Sequence, residues 1–205
     1  MNADRPERLD HRRDELIDAA FRAFMTTGYV KTSMSDIAAE AGVSRPTLYR
    51  SFANKSDLFL AAAERLHEQT SAACAEAAAR PGDVDERLAA AAIAQLSAHV
   101  EIVLSSPHGT ALLDVNRRIG GELAAAAERR FEALVRSLLT AAAVDGEIDA
   151  RFGGATAAQA TRLVVAVVDG WKLSLTQAAP PRTWRADVEV AMRIVVRGLA
   201  QPPDA

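Results

Sequence analysis

Between Ala41 and Ser56 the chain carries three basic residues, Arg45, Arg50 and Lys55, and no acidic one. Elsewhere the signs are mixed, and the formal net charge of the whole chain is −3. A polyanion responds to local rather than total charge, so this short stretch is where a nucleic acid would be met. Ser44 has the side chain of a helix N-cap, and Pro46 falls in the first turn, where a missing N–H costs little. A helix started in this way turns Arg45, Thr47 and Arg50 outward. An α-helix fits the DNA major groove, and the residues at its start reach the base edges. For Arg50, a solvated or phosphate-facing charge competes with base reading. No catalytic pattern rivals this one. The chain has no Gly-rich phosphate loop, no G-x-S-x-G, no HExxH and no paired Cys or His at metal spacing. His108 and Asp114 near Pro107 suggest a dyad only by proximity, and loops commonly carry such residues. Neither enzyme activity nor a metal or cofactor is expected.

The elements that must hold this stretch follow from periodicity and punctuation. Leu16, Ile17, Ala20, Phe21 and Phe24 make the apolar stripe of an amphipathic helix over 10–27, and Gly28 stops it. Arg5 and Arg8 precede that stripe and read as an idle terminus. Ser33 with Asp36 three residues on reads as a capping box for a short helix through Ile37, Ala38 and Ala41. Gly42 then supplies the turn, Ser44 caps a second short helix ending near Phe52, and Asn54 opens a long helix to about Ala79. Two short helices joined through Ala41-Gly42-Val43-Ser44 have helix-turn-helix spacing. Ile37, Val43, Leu48 and Phe52 are placed to pack on Phe21 and Phe24. Further helices are expected over 84–104, 122–143, 156–178 and 184–199, with a short one before Gly120-Gly121 and a loop from Asp145-Gly146 to Gly153-Gly154. The result is an all-α chain of about nine helices. It divides into a helix-turn-helix domain over 1–57 and a helical bundle over 58–205.

The segment Thr32-Ser33-Met34-Ser35-Asp36-Ile37-Ala38-Ala39-Glu40-Ala41-Gly42-Val43-Ser44-Arg45-Pro46-Thr47-Leu48-Tyr49-Arg50-Ser51-Phe52-Ala53-Asn54-Lys55-Ser56-Asp57-Leu58 closely resembles the DNA-binding part of tetracycline-repressor-like (TetR) regulators. The resemblance covers about residues 12 to 60. It implies that Tyr49 gives its hydroxyl to a phosphate, that Lys55 reaches one from the start of the fourth helix, and that Thr32 or Ser33 does so from the second. The plain alternative for Tyr49 is a core aromatic. Arg45 and Thr47 are the expected base contacts, Arg suiting guanine O6 and N7 and the Thr methyl suiting thymine. Arg45-Pro46-Thr47 departs from the residues many members carry there, and the proline stiffens the start of the reading helix.

Beyond residue 60 the resemblance is one of architecture. It implies a homodimer on a near-palindromic operator, because one helix-turn-helix reads few base pairs. The last two helices are the expected interface, through Val164, Val168, Leu175, Trp184, Val188, Met192 and Val195. It also implies a cavity for a small effector among the middle helices, with His67, Cys74, Leu96, His99, Val103, Phe131 and Trp171 as candidate lining. His67 and His99 are more often structural residues on such faces, and Cys74 is more often a small buried hydrophobe than a redox sensor. The expected effector is apolar or weakly polar, and its binding would swing the two reading heads to the wrong separation. A DNA-binding or partner-binding orphan regulator with no ligand is the alternative. Composition fits a globular chain, at 49% hydrophobic and 25% charged. A single cysteine and the lack of an export-type N-terminus point to the cytoplasm, and the apolar runs are too short for a membrane span.

Overall fold

The computed structural model describes residues 4–149 and 154–200. The side chains of Arg5 and Arg8, and Gly153 at the end of the expected loop, lie outside the described residues. Among the described residues there are nine α-helices and no strand. They are α1 (Asp4–Thr27), α2 (Met34–Glu40), α3 (Arg45–Ser51), α4 (Lys55–Ala78), α5 (Val84–Ser105), α6 (Gly109–Ile119), α7 (Gly121–Val144), α8 (Ala157–Leu175) and α9 (Trp184–Ala200). α1 begins at Asp4, six residues before the expected start at residue 10. Pro6 stands in its first turn, where the absent N–H has no intrahelical partner to lose.

The chain forms two compact units, one of residues 1–67 and 102–124, the other of 68–101 and 125–205. In the first unit, Leu16, Ile17, Ala20 and Phe24 of α1 bury one face against Ile37 and Ala38 of α2, Leu48 of α3 and Leu58 and Phe59 of α4. Phe24, Tyr29 and Phe59 form a ring cluster with centroids 5.2–5.7 Å apart, spacings at which tilted and edge-on aromatic pairs attract. α6 closes the unit. Ser106 donates its hydroxyl to the Met25 carbonyl, and Leu112 and Val115 join the same core. Gly109 is obligatory there, since a Cβ would stand 2.3 Å from the Ile102 carbonyl oxygen.

The second unit buries Leu88, Ala92 and Leu96 of α5, Val135 and Leu139 of α7, Val164 and Val168 of α8 and Val188 and Met192 of α9. Thr156 and Gln159 cap α8 reciprocally. By length and composition, α5 is apolar enough to cross a membrane. Leu88, Ala89, Ala91, Ala92 and Leu96 are buried in the unit's interior, and an alanine-rich core helix meets the same criterion.

Two turn glycines separate backbone strain from crowding. Gly28 has φ +84° and a Cβ there would meet the His108 ring at 3.2 Å, whereas Gly42 has φ +63° and open space around it. Gly42→Ala should therefore cost only the left-handed backbone term of about 1–2 kcal/mol. Gly28→Ala should cost more, because the His108 ring must also move. Denaturant unfolding of both variants checks this, and equal losses would remove the His108 contact from the account.

Candidate nucleic-acid interface

The two caps decide how the short helices sit. The Ser33 hydroxyl accepts the Asp36 N–H at 3.2 Å and donates to Asp36 Oδ2 at 2.7 Å, while the Ser33 backbone N–H donates to the same carboxylate at 2.8 Å. These bonds hold the Asp36 carboxyl below its ordinary pKa. The box is thus intact above the normal carboxylate range and is lost as pH falls through that lowered value. Ser44 Oγ accepts the Thr47 N–H at 3.3 Å and lies 2.8 Å from Thr47 Oγ1. The turn between the caps is pinned by Val43 N–H donating to the Ala38 carbonyl at 2.9 Å.

α3 has one fully buried side chain, Leu48, and Phe52 at its end is buried too. With those two inward, Ser44, Arg45, Pro46 and Arg50 are exposed and Thr47 is half-buried. Tyr49 is 46% exposed, so the core-aromatic alternative does not hold. Arg50 donates to Thr47 Oγ1 at 3.2 Å, which ties two of the outward residues into one patch. At the far end of α3 stands a residue not singled out by sequence. The Arg13 guanidinium lies 4.4 Å from the Phe52 ring centroid and gives a long 3.5 Å bond to the Ser51 carbonyl. Only tertiary packing brings it there, so no local pattern could have marked it.

Two residues expected at phosphates are engaged within the protein. Thr32 is buried, and its hydroxyl donates toward the Gly28 carbonyl at 2.8 Å and the Ala23 carbonyl at 3.3 Å. Lys55 sends its ammonium to the carbonyls of Tyr29 at 2.6 Å, Thr32 at 2.8 Å and Val30 at 3.3 Å, and lies 4.5 Å from the Tyr29 ring centroid. Three N–H donors are matched by three carbonyls. Burial lowers the Lys55 pKa, while the carbonyl dipoles and the ring face favour the charged form. Beside it the Tyr29 hydroxyl pairs with Ser56 Oγ at 2.9 Å. Lys55 and Tyr29 together fasten the α1–α2 turn to the start of α4.

The expected effector lining is divided. Cys74 and Phe131 meet at a cavity of about 250 Å³ that is also lined by Ser71, Ala75, Gln95, Arg130 and Leu134. Leu96 is buried beside none of that space, and His99 and Trp171, both half-buried, do not line it either. His67 and Val103 fall in the other compact unit. The expected interface is divided as well. Val164, Val168, Leu175, Trp184, Val188 and Met192 are buried within this single chain, where they fill its own core; only Val195 is half-exposed. The apolar residues left outward on α8 and α9 are Leu163, Leu173, Val190 and Ile194.

Residues 16–68 match the family of bacterial regulatory proteins named tetR. This segment is similar to the TetR family. Among curated proteins, the chain is 38% identical over 82 residues to the transcriptional activator FasR of Mycolicibacterium smegmatis, covering 40% of this chain and 37% of that protein. The chain thus spans well under half the length of that relative, which, like others it matches, is named as a transcriptional regulator. Over nearly the whole chain the fold is that of solved TetR-family structures. A TetR/AcrR-family regulator from Thermobifida fusca superposes with a TM-score of 0.66 at 22% identity, covering 93% of this chain and 100% of that one. FadR from Bacillus subtilis, solved with stearoyl-CoA, gives 0.61 at 21% identity over 90% and 97%.

The saturated ammonium of Lys55 separates two roles by salt dependence. Lys55→Ala should lower both stability and DNA affinity while leaving the slope of log affinity against log salt unchanged. A direct phosphate contact would instead lower that slope by about one. Salt titrations of wild-type and variant on one duplex distinguish the two.

Proposed function

We propose that the chain is a sequence-specific DNA-binding transcriptional regulator, a repressor released from a near-palindromic operator by a small ligand. The observation that carries the reading is α3. Its N-terminus is capped, its inner face is anchored by Leu48, and it presents Arg45, Pro46, Tyr49 and Arg50 to solvent. Arg45, in the first turn, is the residue assigned to a guanine edge. Thr47 presents its methyl beside it, with its hydroxyl tied back to Ser44. Tyr49, Arg50 and Ser33 are assigned to the phosphate backbone, which fixes register without reading sequence. Thr32 and Lys55 support this surface from behind.

A homodimer would set the two reading heads on successive grooves. Leu163 and Leu173 lie ten residues apart on α8, with Ala166 and Gly170 on the same stripe, and Val190 and Ile194 share a face of α9. Two exposed apolar stripes on neighbouring helices match the core of a protein–protein interface. Ligand release supports the same scheme, since the cavity of about 250 Å³ is built partly from α4, which begins beside the reading head at Lys55. In the FadR structure a TetR-like fold accommodates an acyl thioester.

Selection from random duplex DNA should enrich one near-palindrome with half-site centres about 34–36 Å apart, or a multiple of that. Arg45→Ala should relax the preference at one position in each half-site, at a cost of about 1–3 kcal/mol. Ile194, 65% exposed, is the interface probe. Ile194→Asp should raise the dimer dissociation constant at least about thirtyfold in sedimentation equilibrium, equivalent to losing about 2 kcal/mol. A variant as dimeric as the wild type would move the interface off α9, and a selection with no enriched sequence would end the operator reading.

A further inference from the structure

The cavity formed by α4, α5 and α7 has a definite chemical polarity. Ser71, Cys74 and Ala75 come from α4, Gln95 from α5, and Arg130, Phe131 and Leu134 from α7. Gln95 is only 6% exposed, and it lines the cavity. The Cys74 thiol lies 3.4 Å from Gln95 Oε1 and 3.5 Å from the Ala91 carbonyl oxygen. Burial pushes the thiol pKa up to about 12, so the sulfur keeps its proton and is a donor. With its oxygen engaged by that donor, the Gln95 amide is oriented. Its nitrogen is the donor end of the amide.

The remaining lining adds a cation and an apolar wall. Arg130 lines the space and forms no ion pair with a described residue, and no carboxylate is among the lining residues. Lys172, which pairs with Asp169 at 3.1 Å, adds positive potential at Cys74. Phe131 and Leu134 provide the apolar surface, and Ala75 takes up little room. A cavity of about 150 Å³ is enough to hold benzene. The 250 Å³ here therefore admits one ring with a single substituent.

We propose that this cavity binds a small aromatic carboxylate, its ring against Phe131 and Leu134 and its oxygens accepting from Gln95 Nε2 and the Arg130 guanidinium. This rests on the ligand-released reading above, and it replaces an apolar effector with one that is apolar in body and anionic at one end. An oriented amide N–H and a guanidinium together reward an acceptor-rich anion, and an ammonium would meet only donors and a like charge. Because Arg130 is exposed, its contribution is screened and binding weakens with salt.

The test is calorimetric titration of the full chain, without DNA, by three ligands of one size: benzoate, benzamide and benzylamine. Benzoate should bind at least about tenfold more tightly than benzylamine, the worth of one charge-assisted hydrogen bond. Arg130→Gln, a change at an exposed position, should weaken benzoate about tenfold and leave benzamide nearly unchanged. Gln95→Leu should weaken both, with circular dichroism confirming that the variant folds; if it does not fold, Arg130→Gln alone decides. Benzylamine binding as well as benzoate, benzoate indifferent to Arg130→Gln, or no benzoate binding would each overturn the proposal. Benzoate that binds as expected yet leaves operator affinity unchanged would uphold this assignment and sink the ligand-release reading instead.

Discussion

A helix of seven residues has no stability of its own in water, because the nucleating turn costs more than so few hydrogen bonds return. α3 exists only because its surroundings impose it. Leu48 is taken into the core between α1, α2 and α4, and Ser44 satisfies the first free N–H groups. Phe52 anchors the exit under the Arg13 guanidinium. Everything the surface can do follows from that anchoring. Once Leu48 and Phe52 point inward, the 3.6-residue period turns Pro46 and Arg50 to the opposite face, and Arg45 and Tyr49, at its edges, are exposed as well. The same constraint makes the neighbouring turns strict, since a shift of the α1–α2 loop would move the core that holds α3.

Lys55 and Tyr29 answer that demand. The loop between α1 and α2 leaves the carbonyls of Tyr29, Val30 and Thr32 without helical partners, and one ammonium gathers all three. A point charge with three freely rotating donors suits carbonyls at unequal distances better than a planar guanidinium would. The Phe24–Tyr29–Phe59 cluster stands beneath it, so the loop is fixed from its polar and its apolar side at once.

What could be read from sequence was local. The capping box at Ser33, the Ser44 cap and the stop at Gly28 are three- or four-residue chemistries, and the structure has each of them. So were the long helices, whose observed ends fall within a residue or a few of the expected ones, apart from the Pro6 turn that carries α1 back to Asp4. Three things depended on contacts across the chain. Ser106 bonds to Met25 over a separation of 81 residues, and nothing near either marks the other. Lys55 lay in a basic stretch, and charge alone does not tell a phosphate partner from a backbone one. α8 is apolar around most of its circumference, so periodicity does not say which stripe the chain's own core takes. The core took Val164, Val168 and Leu175 and left Leu163 and Leu173 outside.

Cys74 has a practical consequence. It is the only cysteine in the chain, it is buried, and its pKa of about 12 leaves almost no thiolate at neutral pH. The protein therefore offers a chemically silent background to maleimide or methanethiosulfonate reagents. A cysteine introduced at an exposed position such as Val30, in the turn that Lys55 holds, would label selectively in the wild-type background. In the proposed homodimer, spin or fluorescent labels placed there would act as a ruler between the two reading heads, reporting their separation in solution as ligands are added.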